Sequence, residues 1–198
     1  MHHRNRGGNG MKNGMLISGL TCLMLLSLFA AVSQAQDNSP SNAAAIGTPV
    51  KSIVELGSVM TSNYDVTVTV LEAIRGKGAM DRLTTANPGN KPPKAGFEYI
   101  LARVRFEVKG RAVSDDRSFE LGSSPLQWVA LSSDLAEYPG VSASPPKPGL
   151  TGPAPPGQVV EGWLVFAVDQ KDSKPIMVFD PDSGGATGRG KPLFFKLY

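Results

Sequence analysis

The residues best suited to nucleophilic, general-base or transition-metal chemistry in this 198-residue chain are two histidines, His2 and His3, and one cysteine, Cys22. All three lie in the first 35 positions, and that stretch reads as a signal peptide. Arg4, Arg6 and Lys12 form a basic n-region, Met15 to Val32 is a mostly apolar run, and Ser33-Gln34-Ala35 puts small residues where a signal peptidase reads. The expected cut falls between Ala35 and Gln36, whether translation starts at Met1 or at Met11. Cys22 follows Gly19-Leu20-Thr21, and apolar residues continue past it, so it is a small hydrophobe of the leader and not a lipid attachment point. An uncleaved anchor is the competing reading, because the apolar run sits at the lower length limit for spanning a bilayer. Ser18, Gly19, Thr21 and Ser27 and the processing sequence favour cleavage.

A mature chain without His or Cys retains two routes to bond chemistry, a Ser–Lys dyad or paired carboxylates. Ser144-Pro145-Pro146-Lys147 has the Ser-x-x-Lys spacing, but that motif works on one turn of helix, which two prolines oppose. Glu98, Glu107, Asp134 and Glu137 are acids of the type that hydrolyse glycosides when two of them converge across a cleft. Nothing in their spacing brings them together. Asp180-Pro181-Asp182-Ser183-Gly184-Gly185 opens like a calcium loop, with Asp180 and Asp182 as alternate oxygen donors before a glycine turn. The fifth and twelfth positions of such a loop would be Gly184 and Lys191, which supply no carboxylate, so the segment reads as an Asp/Gly turn closing a strand. No catalytic residue, metal site or cofactor is assigned.

The elements that must position any site are mostly strands. Asp65 to Leu71 alternates Val66, Val68 and Val70 with threonines, and Tyr99 to Lys109 sets Ile100, Ala102, Val104, Phe106 and Val108 against Leu101, Arg103, Arg105, Glu107 and Lys109. The second pattern predicts one core face and one wet face, and it accounts for the arginines without an anion site. Ser118 to Leu121, Leu126 to Leu131, Pro175 to Asp180 and Leu193 to Tyr198 are shorter strands. Gly162 to Val168 is apolar on both faces, which predicts a central strand under a covering layer. Gly78 to Pro88 suits about two turns of helix ended by Asn87-Pro88, and Pro92-Pro93-Lys94-Ala95-Gly96 continues neither helix nor central strand.

Residues 36–47 lack an apolar period and read as a flexible linker, leaving 48–198 as one domain. Seven of the 16 prolines lie between Pro139 and Gln158, so this stretch reads as a stiff surface connection. Within it, Pro153-Ala154-Pro155-Pro156 is either a polyproline segment for an aromatic groove or a cover for a sheet edge. Trp128 and Tyr138 read first as core aromatics and second as the border of a binding surface. All 17 acidic residues, and all but three of the 20 basic ones, follow Ala35, so the mature chain is electrically balanced. The basic precursor is therefore no argument for nucleic acid as a partner, and a membrane enters only if the leader stays attached.

Certain segments carry a family resemblance: Val66-Thr67-Val68 with Leu71-Glu72, Pro92 to Tyr99 leading into Ile100 to Phe106, Gly157 to Phe166 with its Gly-x-x-x-x-Gly-Trp turn, and Pro175 to Pro181. In these the chain resembles the bacterial extracellular immunoglobulin-like family known as a domain of unknown function and sometimes labelled telomeric-repeat-binding-factor-like. It is also similar in plan to secreted mycobacterial immunoprotective antigens. The resemblance implies an all-β, immunoglobulin-like β-sandwich of about seven or eight strands with one short inserted helix, and it supplies no catalytic residues. The expectation is a secreted or periplasmic, cell-envelope binding module whose partner is another envelope or extracellular protein. A carboxylate-dependent envelope glycan hydrolase and a membrane-anchored spacer domain are the alternatives.

Overall fold

The computed structural model describes residues 37–183 and 188–198; the leader, the Ala35/Gln36 junction and Gly184 and Gly185 lie outside them. The described chain is mostly β, with one helix, in the order β1 (Val50–Leu56), β2 (Ser62–Arg75), α1 (Lys77–Ala86), β3 (Phe97–Gly110), β4 (Phe119–Leu121), β5 (Trp128–Leu131), β6 (Gly152–Ala154), β7 (Val159–Asp169), β8 (Ile176–Phe179), β9 (Gly188–Gly190) and β10 (Leu193–Lys196). Among the described residues no helix is long and apolar enough to cross a membrane.

A five-stranded antiparallel sheet runs β7-β3-β2-β1-β9, a three-stranded one β10-β8-β5, and β4 pairs with β6. The alternation in β2 and β3 becomes the inner face: Val66, Val68, Val70, Ile100, Val104 and Phe106 are fully buried in one cluster with Met177, Phe179 and Phe195 of the smaller sheet. Phe106 is the hub, with ring centroids 5.1 Å from Phe119, 5.5 Å from Phe179 and 6.3 Å from Trp128. Trp128 is thus a core residue, and its indole N–H donates to Gln127 Oε1 at 3.0 Å.

The outer face of the large sheet is wet at one end only. Arg103 pairs with Glu161 across strands at 2.7 Å, as the alternation leads one to expect, and Arg111, just past β3, pairs with Asp65 at 2.7 Å. At the other end Tyr99 and Leu101 are buried under Ala79 and Leu83 of α1, which lie four residues apart on one helical stripe. The β2–β3 register slips between Val70 and Glu72. This bulge exchanges the two faces of β2, so Ala73 packs on the inner cluster and Ile74 on the outer one. The Asn87 N–H caps the helix on Leu83 O at 2.9 Å, and Pro88 ends it.

Two expectations need correction. The Gly162 to Val168 segment is not a central strand, because β7 is the edge of the five-stranded sheet. It is apolar on both faces because its inner side joins the core and its outer side, Trp163, Val165 and Ala167, packs under α1 and the proline-rich connection. Its free edge is covered by Pro148 to Leu150, where the Trp163 N–H donates to Pro148 O at 2.9 Å and the Leu150 N–H to Trp163 O at 3.2 Å. Gly162 permits that approach, since a Cβ there would lie 2.6 Å from Leu150 N.

Nor is the stretch from Asn38 to Gly47 a flexible linker. The Asn38 side chain mimics a peptide unit, donating to Phe194 O at 2.8 Å and accepting from the Phe194 N–H at 2.7 Å. Ala44 continues as a parallel bridge to Phe195 and is buried. This strap occupies the outer edge of β10, so a segment with no apolar period is held by backbone pairing.

Candidate binding groove

A groove of about 530 Å³ opens at the covered end of the large sheet, within the size range of ligand sites. Its floor is Phe97 and Tyr99 of β3 and Ala167 of β7; one wall is Gly89 to Lys94, and the other is Pro139 to Ala143. Each wall is an irregular segment, and proline explains why: Pro92, Pro93 and Pro139 lack the N–H that helix or sheet pairing requires.

One side chain ties the walls together. The Asn90 amide is buried; its Nδ2 donates to Leu83 O and to Ser144 O, both at 2.9 Å, and its Oδ1 accepts from the Ser144 N–H at 2.8 Å. The helix end, the first wall and the second wall are therefore fixed by three hydrogen bonds from one residue. The Tyr99 hydroxyl adds a bond to Lys91 O at 3.2 Å. Lys91 and Lys94 are exposed on the first wall, and Lys94 Nζ stands 6.0 Å from the centre of the Phe97 ring. No carboxylate lines the groove.

The second wall is anchored at its entry by Tyr138, whose ring meets Phe97 edge-on at 6.2 Å and whose hydroxyl donates to Asp172 Oδ2 at 2.8 Å. Burial, followed by the hydrogen bond to Asp172, pushes the Tyr138 hydroxyl up to about 12. Burial alone would raise the Asp172 carboxyl. The Lys174 N–H at 3.0 Å, the Tyr138 hydroxyl and the Ser133 N–H at 3.1 Å outweigh burial and hold the carboxyl below its ordinary value. On the same second wall lies a smaller hollow of about 260 Å³ faced by Trp128, Trp163 and Phe166.

The residues singled out from sequence are not brought together. Ser144 and Lys147 lie in an irregular stretch and not on a helical turn, and both backbone groups of Ser144 are engaged by Asn90. Glu98 pairs with Arg75 at the start of β3, whereas Glu107 pairs with Arg105 near its end, about 30 Å along the strand. Asp134 and Glu137 are exposed between β5 and β6. Asp180 Oδ1 accepts from the Asp182 N–H at 3.0 Å and Asp180 O from the Ser183 hydroxyl at 3.0 Å, the bonding of an Asp turn. Among the described residues no cluster of three or more His, Cys, Asp or Glu is placed to hold a metal. Pro153 and Ala154 belong to β6, which pairs with β4, and Ala154 is buried in the core, so this part of the proline segment is a short strand.

Sequence reasoning missed Asn90 and the Pro139 to Ala143 wall. The only trace of the first is the turn-type run Asn87-Pro88-Gly89-Asn90, and the second has no periodicity at all.

No protein-family model matches the chain. A search of curated proteins likewise gives no match. Among solved structures the chain is similar to a Bacillus subtilis protein, ycdA, described as a "putative lipoprotein", with 15% identity and a TM-score of 0.42. That similarity covers 66% of this chain, which spans 36% of the length of the Bacillus protein.

Proposed function

We propose that this chain is an exported, non-enzymatic binding module with an immunoglobulin-like β-sandwich fold, and that its groove engages another protein of the envelope or extracellular space. Export rests on the leader ending at Ala35, and the sandwich reading on the family resemblance together with two antiparallel sheets that share one core. The observation that carries the binding role is the Asn90 clamp. It fixes two irregular walls over a rigid strand floor, so the groove needs little ordering when a partner arrives. The same bonds, with that of Tyr99 to Lys91, commit the groove's amide and phenol to structure and leave lysine ammonium groups facing solvent, which suits recognition and not bond cleavage.

A photo-crosslinking residue placed at Lys91 of the exported protein, with a matched control at Lys51 on β1, tests this in intact cells. A discrete adduct from position 91 and none from position 51 is the expected result. Identical adduct patterns from both positions would remove the groove from consideration. Amino-terminal sequencing of the exported chain should begin at Gln36; a retained leader would instead favour the anchored spacer.

A further inference from the structure

We propose that the occupant of the groove is an acidic, extended peptide segment of a partner protein, an inference that rests on the binding-module reading above. Three features of the groove select this chemistry.

The first is charge. Lys91 and Lys94 stand exposed on one wall and take part in no ion pair among the described residues, and no carboxylate lies anywhere in the lining. The neighbouring Arg75 and Lys77 are paired with Glu98 and Asp81, which leaves Lys91 and Lys94 as the lysines of the groove wall without an acidic partner. A carboxylate-bearing ligand complements this wall.

The second is main-chain chemistry. Among the described residues, the backbone groups of Gly140, Val141, Ser142 and Ala143 on the opposite wall make no hydrogen bond to other protein groups. A peptide laid along the groove supplies carbonyls and N–H groups to such unpaired backbone, the chemistry by which extended segments add to exposed main chain. The third is the floor: Phe97, Val141, Ala143 and Ala167 offer apolar contact for one or two side chains.

A glycan fits less well. Sugar hydroxyls are read by free amide, carboxylate and guanidinium groups, and the one amide in the lining, Asn90, is engaged at both its nitrogen and its oxygen.

The test measures fluorescence anisotropy of the full chain with three labelled probes. One is a decapeptide alternating glutamate with phenylalanine or valine, the second carries lysine in place of glutamate, and the third is an oligogalacturonate of similar charge. The acidic peptide should bind saturably, weaken with added salt, and lose roughly tenfold in affinity when Lys91→Glu and Lys94→Glu are combined. Both lysines are exposed, so the double variant retains the fold. Absent or equally tight binding of the lysine peptide, unchanged affinity in the double variant, or tighter binding of the oligogalacturonate would each overturn the inference. If the Lys91 crosslink captures a protein whose contact segment is not acidic, the peptide chemistry is wrong while the binding-module reading stands.

Discussion

On the inner face of β3, Phe106 sits among Phe119, Trp128 and Phe179 with both sheets closed around it; on the outer face, Leu101 clusters with Ala79, Leu83 and, from the proline-rich connection, Val141 and Ala143. The inner cluster is apolar and joins strands that are distant in sequence. The outer one is thin, and the loops above it are fixed by Asn90 and Tyr138, two polar side chains. Apolar burial is non-directional and sums over a large area, whereas a buried amide acts through a few oriented bonds. The difference implies a division of labour: the inner cluster sets whether the chain folds, and the outer one sets whether the groove has a shape.

The sharpest way to break this comparison is to damage each cluster and ask how far the damage spreads. Phe106→Ala should cost about 3–5 kcal/mol and lower the urea midpoint of the whole domain, because the cavity opens where both sheets meet. A loss under about 1 kcal/mol would mean that the sheets do not share one core. Asn90→Ala should cost less, about 1–3 kcal/mol, through the Ser144 N–H and carbonyl it leaves unpaired. Its effect should also be local. Hydrogen exchange should accelerate at Ser144 and through the two walls while the β2, β3 and β8 amides keep their protection. If those strands exchange faster to the same degree, the groove is part of the global folding unit and the comparison fails.

The same division explains what could be read from the sequence. The inner cluster was legible because period-2 alternation in Val66 to Val70 and Ile100 to Val108 is imposed by the pleat itself. The helix was legible from its Ala, Met and Leu spacing and from Asn87-Pro88, although it spans Lys77–Ala86 and starts one residue earlier than expected. What escaped was structure supplied by partners with no pattern of their own. Gly162 to Val168 imitates a central strand because α1 and the proline-rich connection cover the outer face of what is an edge strand. The strap at Asn38 to Ala44 pairs through one side-chain amide and the backbone, which hydrophobic periodicity does not register. The bulge between Val70 and Glu72 is silent for a further reason, since residue types alone do not say where a register slips. The groove combines the first two difficulties, and of its positioning residues only Tyr138 stands out in the sequence as a surface candidate.

The finest distinction between the two regions is their response to pH, because the inner cluster holds no acidic or basic side chain and one phenol, Tyr64, whereas the second wall of the groove is anchored by the Tyr138–Asp172 pair. Asp172 has a depressed folded-state value, so its contribution is present above the ordinary carboxylate value near ~3.9 and is lost as pH falls through the folded one. Tyr138 is raised to about 12, so its contribution is complete below the ordinary phenol value near ~10 and is lost as pH climbs through the folded one. The wall should therefore loosen at both extremes and hold between them, with the strands of the inner cluster indifferent over the middle range. Exchange of the Ser133 and Lys174 amides, both donors to Asp172, reports the acid limb. Asp172→Asn should abolish that limb, and Tyr138→Phe should remove the alkaline one. An unaltered acid limb in Asp172→Asn would place the anchor of this wall elsewhere and leave Asn90 as its sole polar support.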